Sequence, residues 1–75
     1  MWTPFDATTV EKEIYAIRGT AENGVPFEYE DMYPNGTHFH RTIASPAPAT
    51  VPYSQVTEVK FQMTLEEQFA KHSGS

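Results

Sequence analysis

Two histidines one residue apart, His38 and His40, are the residues of this chain whose type and spacing could do chemistry. They stand in the stretch YPNGTHFHRT, directly after a turn signal of proline, asparagine and glycine. Alternate residues of a β-strand project from one face, so a strand here would place both imidazoles side by side. Zinc would need one or two further nitrogen, oxygen or sulfur ligands. The pair predicts a metal site only where another residue completes it.

Few residues could complete such a site: His72, Glu28, Glu30 and Asp31. The stretch PNGTHFHR also resembles the histidine-pair motif of cupin metal sites over some eight residues. The sequence RTIAS follows where that motif carries a glutamate, so no metal ligand is carried over from the resemblance. A strand with a solvated histidine face and a buried Phe39 explains the same alternation. Metal binding by His38 and His40 is therefore the alternative hypothesis, and no cofactor is expected.

The second candidate is the acidic stretch EYEDMY. Glu28 and Glu30 share a strand face, but paired carboxylates serve as acid and base only where burial separates their pKa values. Nothing in the sequence indicates such burial, and a solvated sheet face is the simpler interpretation. A third interpretation is an acidic edge that meets a basic groove of a partner protein. The partner-binding residues predicted here are Glu28, Tyr29, Glu30, Asp31 and Tyr33.

The third candidate is the N-terminal segment MWTPF, in which Trp2 and Phe5 flank a proline. Tryptophan is enriched in binding hot spots, so both aromatic residues are predicted to contact the partner. The competing interpretation is that Trp2 folds back to cap a small core. No nucleophile–base arrangement and no phosphate-binding glycine loop accompanies these candidates, which predicts that the protein is not an enzyme.

Length and composition narrow the class of protein. Seventy-five residues make a single domain at most, here 1–75, with an arm at 1–8, a proline-rich loop at 45–52 and a frayed tail at 73–75. The absence of cysteine favours a reducing compartment, and neither a signal peptide nor a membrane span is evident. A net charge of −5 with scattered cations disfavours nucleic acid and favours a basic protein surface. These features predict a cytosolic protein.

The clearest local structure is a hairpin around Asn23-Gly24. A three-residue loop, residues 22–24, would pair Ala21 with Val25 and collect the apolar side chains on one face. The same register sets Arg18 opposite Glu28 as a charge pair, and Tyr15 opposite Asp31. A competing interpretation is a helix from about Thr9 to Arg18, because Val10, Ile14 and Ile17 follow helical spacing.

Further elements are predicted on both sides of the proline-rich loop. Tyr33–Gly36 is a predicted β-turn that leads into a strand from Thr37 to Ile43. A half-buried strand is expected over 57–63, and Thr64 with Glu67 forms a capping box for a helix from Leu65 to His72. The fold class predicted is β-rich α+β, a small antiparallel sheet of three to four strands with a short C-terminal helix. A small SH3-like barrel is a variant of it.

The leading hypothesis for function is a non-enzymatic protein-binding module. It would be a small acidic regulator or inhibitor of a larger cytosolic machine, of the kind that phage or mobile-element genes often encode. The alternatives are the metal- or ligand-binding domain described above and a structural subunit whose strand edges pair with neighbours. The predicted partner is a larger protein with a basic surface, neither nucleic acid nor membrane.

Overall fold

The computed structural model describes residues 1–44 and 46–73 as one antiparallel sheet with a short helix. The elements are β1 (Thr3–Pro4), β2 (Ile14–Thr20), β3 (Pro26–Asn35), β4 (His38–Arg41), β5 (Thr50–Pro52), a 3-10 turn (Tyr53–Gln55), β6 (Val56–Met63) and α1 (Leu65–Ser73). The strand order is β1-β6-β2-β3-β4-β5. The β-rich antiparallel prediction is confirmed, but the sheet has six strands instead of three to four. The described helix is neither long nor apolar enough to cross a membrane.

The two additional strands come from segments predicted to be irregular. β1 lies within the predicted arm, and Thr3 pairs with Val59 of β6. β5 lies within the proline-rich loop, where Val51 pairs with Phe39 of β4. Both are short edge strands: β1 pairs with a strand that is distant in sequence, and β5 pairs with the strand that precedes the proline-rich loop. Of the predicted loop and tail, Ser45, Gly74 and Ser75 lie outside the described residues.

The β2–β3 hairpin has the register that the three-residue loop predicts. Ile17 lies opposite Tyr29, Gly19 lies opposite Phe27, and Ala21 donates to the Val25 carbonyl at 2.9 Å. Gly24 takes the positive φ of 85° that this loop requires of its last residue. The register therefore holds through the turn, the second half of β2 and the first half of β3.

The predicted pairing of Tyr15 with Asp31 is wrong, because Tyr15 lies opposite Met32. Asp31 forms a bulge with φ of 60°, a value that aspartate tolerates better than most residues. The bulge is held on both sides: the Asp31 amide donates to the Gln62 side chain at 2.8 Å, and its carbonyl accepts from the Thr42 amide at 2.9 Å. The inserted residue turns Met32 into the core.

The alternative helix over Thr9–Arg18 is wrong, since its second half, from Ile14 onward, belongs to strand β2. β2 lies between β3 and β6, and it is buried on both faces from Ile14 to Ile17. Burial on both faces removes the alternation by which a strand is usually identified. The apolar residues of a central strand then match helical spacing by coincidence.

The hydrophobic core lies on one face of the sheet around the fully buried ring of Phe39. The buried cluster comprises Tyr15, Ile17, Met32, Phe39, Val51, Val56 and Val59. Phe5 and Tyr53, which follow the two edge strands, meet over this cluster with ring centroids 4.9 Å apart. The sheet therefore curls until its ends approach each other. The finer assignment to an SH3-like barrel stays a prediction.

The second hairpin turns two residues later than predicted. Asn35 pairs with His38, so Gly36 and Thr37 form the turn and Tyr33 and Pro34 belong to β3. Pro34 is tolerated because the pairing of β3 with β2 ends at Met32, and its missing N–H leaves no gap in that ladder. The predicted strand over Thr37–Ile43 is correspondingly shorter, His38–Arg41.

Helix α1 begins at the predicted capping box. The Thr64 amide donates to the Glu67 carboxylate at 3.1 Å, and the Glu67 amide donates to the Thr64 hydroxyl at 3.1 Å. Leu65 and Phe69 would be expected to form the buried side of this helix, but both are exposed and Gln68 is buried instead. Gln68 faces the sheet because its amide donates to the Thr42 hydroxyl at 2.7 Å.

Acid is expected to weaken the N-terminal cap of α1. The Thr64 backbone N–H, and then the Thr64 hydroxyl, lower the pKa of Glu67 below its usual 4.5. Ionised Glu67 therefore stabilises the folded chain above that value, and the contribution is lost as the pH falls through the folded-state pKa. The Thr64 amide proton shift, followed by NMR from about pH 6 to about pH 3, should report this transition.

A matched variant separates the cap from general acid unfolding. Glu67→Gln keeps a side-chain oxygen for the Thr64 amide but does not titrate. The Thr64 shift should then be flat over the same pH range. A transition of unchanged size in Glu67→Gln would mean that another group reports at Thr64.

Candidate functional site

The sheet face opposite the core, here called the outer face, carries most of the predicted site residues. Alternation along the strands places on it Ala16, Arg18, Glu28, Glu58 and Lys60. Trp2 joins this face, because its ring lies 4.3 Å from the Arg18 guanidinium carbon and 5.6 Å from the Lys60 ammonium. Trp2 thus neither caps the core nor extends from the domain as a free arm. It covers two of the chain's five cations.

The predicted charge pair between Arg18 and Glu28 is replaced by another. Arg18 does lie opposite Glu28 in the register, but its guanidinium binds Glu58 on the other side, at 2.7 Å. The Arg18 Nε donates to the same carboxylate at 2.8 Å. Strand β2 sets Arg18 between two carboxylates, and Trp2 stacked above it fixes the guanidinium on the β6 side. Glu28 is consequently left without the partner that the sequence predicted.

The side chains of the acidic stretch EYEDMY, in strand β3 of the β2–β3 hairpin, are divided between the two faces of the sheet. Glu28 and Glu30 are exposed on the outer face, while Tyr29 packs against the core, stacked on Phe27 with centroids 5.0 Å apart. Asp31 is half-buried in its bulge, and its main chain is fully hydrogen bonded. Of the predicted acidic residues, Glu28 and Glu30 therefore remain accessible to a partner.

Phe5 and Tyr33 also separate from the predicted contact surface. Phe5 lies 5.3 Å from the ring of Phe39 and packs against the core, so it performs the capping role considered for Trp2. Tyr33 lies on the outer face beyond the bulge and stacks on His40 at 5.6 Å. The structure thus brings Trp2, Glu28, Glu30 and Tyr33 to one face, and places Phe5 and Tyr29 on the other.

His38 and His40 occupy the same face, as their spacing predicts. His40 stacks on Tyr33, and the His38 Nδ1 lies 2.8 Å from the Thr37 hydroxyl. Across the described residues, no group of three or more histidine, aspartate or glutamate side chains could hold a metal ion. The side chain of His72 lies outside the description. Metal binding by His38 and His40 therefore stays a prediction. None of the described carboxylates supplies the third ligand.

A cleft of about 480 Å³ lies between α1 and the sheet, and sequence reasoning missed it. Its lining is Ile14, Tyr33, Arg41, Thr42, Leu65, Gln68 and Phe69. The Arg41 Nη2 and the Gln68 Oε1 are buried there without a described partner. The sequence signal that could have indicated the cleft is Gln68, a glutamine in the middle of the predicted helix with apolar neighbours. The cleft is mainly apolar with a few polar groups, a composition that is typical of ligand-binding pockets.

Arg41, like Gln68, is a residue of this region whose role the sequence did not predict. Its guanidinium donates to the Glu30 carbonyl at 3.1 Å and to the Pro48 carbonyl at 3.2 Å. It also lies 5.4 Å from the Tyr29 ring. Arg41 therefore ties the proline-rich loop to the acidic hairpin through main-chain oxygens and leaves the Glu30 carboxylate unpaired.

Comparison with known proteins adds no relative. Searches with the chain matched no protein-family model, no curated protein and no solved structure.

Proposed function

We propose that this chain is a non-enzymatic protein-binding module, a small acidic regulator or inhibitor of a larger cytosolic protein. The observation that carries the proposal is the unpaired state of Glu28 and Glu30. Arg18–Glu58 is the one ion pair within the described residues. Both hairpin carboxylates are exposed on the outer face without a cation to neutralise them.

No cation of the described residues forms an ion pair with Glu28 or Glu30, because the nearest ones are held by other groups. Arg18 and Lys60 lie against Trp2, and Arg41 is held by main-chain carbonyls and the Tyr29 ring. The net charge of −5 is therefore not balanced near the β2–β3 hairpin. An unbalanced acidic surface accelerates association with a basic protein surface and selects against acidic ones.

Charge reversal at Glu28 and Glu30 is expected to slow association with the partner about tenfold at low salt. The loss should shrink as salt rises, because screening removes the long-range attraction. The partner is first isolated with immobilised wild-type chain from lysate of the source cell. Glu28→Lys/Glu30→Lys is then compared with wild type by surface plasmon resonance at two ionic strengths.

The control carries the same change in net charge elsewhere. Glu11 and Glu66 are both exposed, and they lie outside the β2–β3 hairpin, before β2 and in α1. Glu11→Lys/Glu66→Lys should retain most of the wild-type association rate. Equal losses in both double variants would reduce the effect to net charge, and unchanged binding in Glu28→Lys/Glu30→Lys would rule out the hairpin as the contact.

A further inference from the structure

The N-terminal half of β3 has a strand edge with free hydrogen-bonding groups. The turn fixes which groups these are: the Gly24 amide donates to Ala21 and the Ala21 amide donates to Val25, both at 2.9 Å. Ala21–Val25 is thus a hydrogen-bonded pair, and such pairs alternate along an antiparallel ladder. Gly19–Phe27 and Ile17–Tyr29 are therefore bonded pairs. Arg18–Glu28, between them, is a non-bonded pair.

The main chain of Glu28 consequently points away from β2. The Arg18 carbonyl confirms the alternation from the other strand, because it points toward β6 and accepts from the Thr57 hydroxyl at 3.1 Å. On the opposite side of β3, β4 pairs with Met32–Asn35 and no further. No described backbone group bonds the N–H or the C=O of Glu28 from that side.

The free edge has two defined ends. Pro26 supplies a carbonyl but no N–H at one end, which limits how far another strand can extend. At the other end the Glu30 carbonyl is not free, because it accepts a hydrogen bond from the Arg41 guanidinium. Between them the outward groups are the Pro26 carbonyl, the Glu28 N–H and carbonyl, and the Glu30 N–H. We call this segment, Pro26–Glu30, the Glu28 edge.

We propose that the Glu28 edge binds an extended basic segment of the partner protein as an added β-strand; this inference rests on the proposed function. Main-chain bonds to Glu28 supply the attachment. On the outer face, lysine or arginine side chains of the added strand lie beside the carboxylates of Glu28 and Glu30. On the inner face, its alternate residues lie beside the stacked rings of Phe27 and Tyr29. The segment selected is one that alternates basic and apolar residues.

A second copy of the chain is a poor occupant of the same edge. Antiparallel pairing of two Glu28 edges would bring the carboxylates of both copies together on one face, where like charges opposite each other are destabilising. Each copy also carries a net charge of −5. The charge of the edge therefore favours a basic partner over self-assembly, and disfavours the structural-subunit hypothesis at this edge.

The first test uses a short synthetic peptide of alternating lysine and valine, with blocked ends. Free chain should exchange the Glu28 amide rapidly, since no described acceptor protects it, while the Phe27 and Tyr29 amides bonded to β2 exchange slowly. Saturating peptide should slow exchange at Glu28 by about tenfold or more. Peptide binding with no added protection at Glu28 would overturn strand addition.

N-methylated peptides test the main-chain bonds directly. In an added strand, alternate N–H groups point to the Glu28 edge, so methylation of either all lysines or all valines should abolish binding, and methylation of the other set should not. The set of residues whose methylation abolishes binding shows whether the added strand is antiparallel or parallel. Equal affinity for both methylated peptides and the parent would mean that side chains alone bind.

A variant of the chain gives the reciprocal test. Glu28→Pro removes the outward N–H at a position that makes no bond to β2, and Glu28→Gln removes the charge but keeps that N–H. Loss of binding should be greater in Glu28→Pro than in Glu28→Gln, with folding checked by circular dichroism. Should Glu28→Pro fail to fold, the methylated peptides still decide the question.

The outcomes separate this inference from the proposed function. If the natural partner is lost by Glu28→Lys/Glu30→Lys but binds Glu28→Pro and Glu28→Gln equally, strand addition fails and the acidic contact stands. If neither the partner nor the peptide distinguishes any of these variants from wild type, both proposals fail.

Discussion

Replacing Phe39 with alanine is expected to remove a large share of the free energy of unfolding. The ring is fully buried, and it contacts Phe5, Tyr15 and Tyr53 edge to face. Truncation of a buried phenylalanine costs about 3–5 kcal/mol. A chain of 75 residues has a free energy of unfolding of about 4–11 kcal/mol, so the loss is a large share of the whole. Urea denaturation followed by circular dichroism measures it.

The matched control is the same substitution at Phe69, whose side chain is 76% exposed on α1. Phe69→Ala should change the free energy of unfolding by no more than about 0.5 kcal/mol. Comparable losses at both positions would mean that Phe39 is not the centre of the core. Because Phe39 stands between His38 and His40, its burial also fixes the face on which both imidazoles lie.

Turn chemistry made the β2–β3 register predictable. Asn23 and Gly24 specify a tight loop through local backbone preferences, and only one loop length collects the apolar residues on one face. The prediction failed at Tyr15, where the Asp31 bulge shifts the pairing by one residue. That bulge depends on Gln62 and Thr42, which are remote in sequence, so no local signal marks it.

Strands β1 and β5 were not predictable for a related reason. Each has three residues or fewer, and each forms because another strand offers an edge: Thr3 pairs with Val59 of β6, and Val51 pairs with Phe39 of β4. Two or three residues of threonine, valine and proline are too few to show the alternation that identifies a strand, and proline is depleted in strands. Non-local pairing therefore decided the number of strands.

The candidate site was predicted only in part. The pattern of charges along a sequence does not specify which charged side chains meet in the fold. The sequence placed Arg18 opposite Glu28 correctly, but Glu58 lies opposite Arg18 on the other neighbouring strand and forms the ion pair. Alternation separates Tyr29 from Glu28 and Glu30 even though the three are consecutive. Of the contact residues that the sequence predicted, only those on the outer face of the sheet can therefore form one surface.

Replacing Gly19 with alanine is the second change with a large expected effect. Gly19 lies on the core side of β2, where the turn Tyr53–Gln55 enters β6. An added Cβ would overlap the Gln55 carbonyl oxygen and lie 2.9 Å from its carbon and 3.0 Å from the Val56 Cα. All three are backbone atoms, so no side chain can rotate away. We expect a loss of about 3 kcal/mol in the free energy of unfolding, the upper end of the usual cost of overpacking, measured by urea denaturation.

Gly24→Ala is the control, because it separates close packing from backbone conformation. Gly24 has a φ of 85°, but a Cβ there would meet nothing within 4 Å. Its substitution should cost about 1 kcal/mol, the strain of a left-handed alanine alone. Equal losses for the two glycines would show that the Tyr53–Gln55 turn can move away from β2. A greater loss at Gly19 would mean that this turn is held against the central strand, which fixes the position of β6 and the Glu58 carboxylate that binds Arg18.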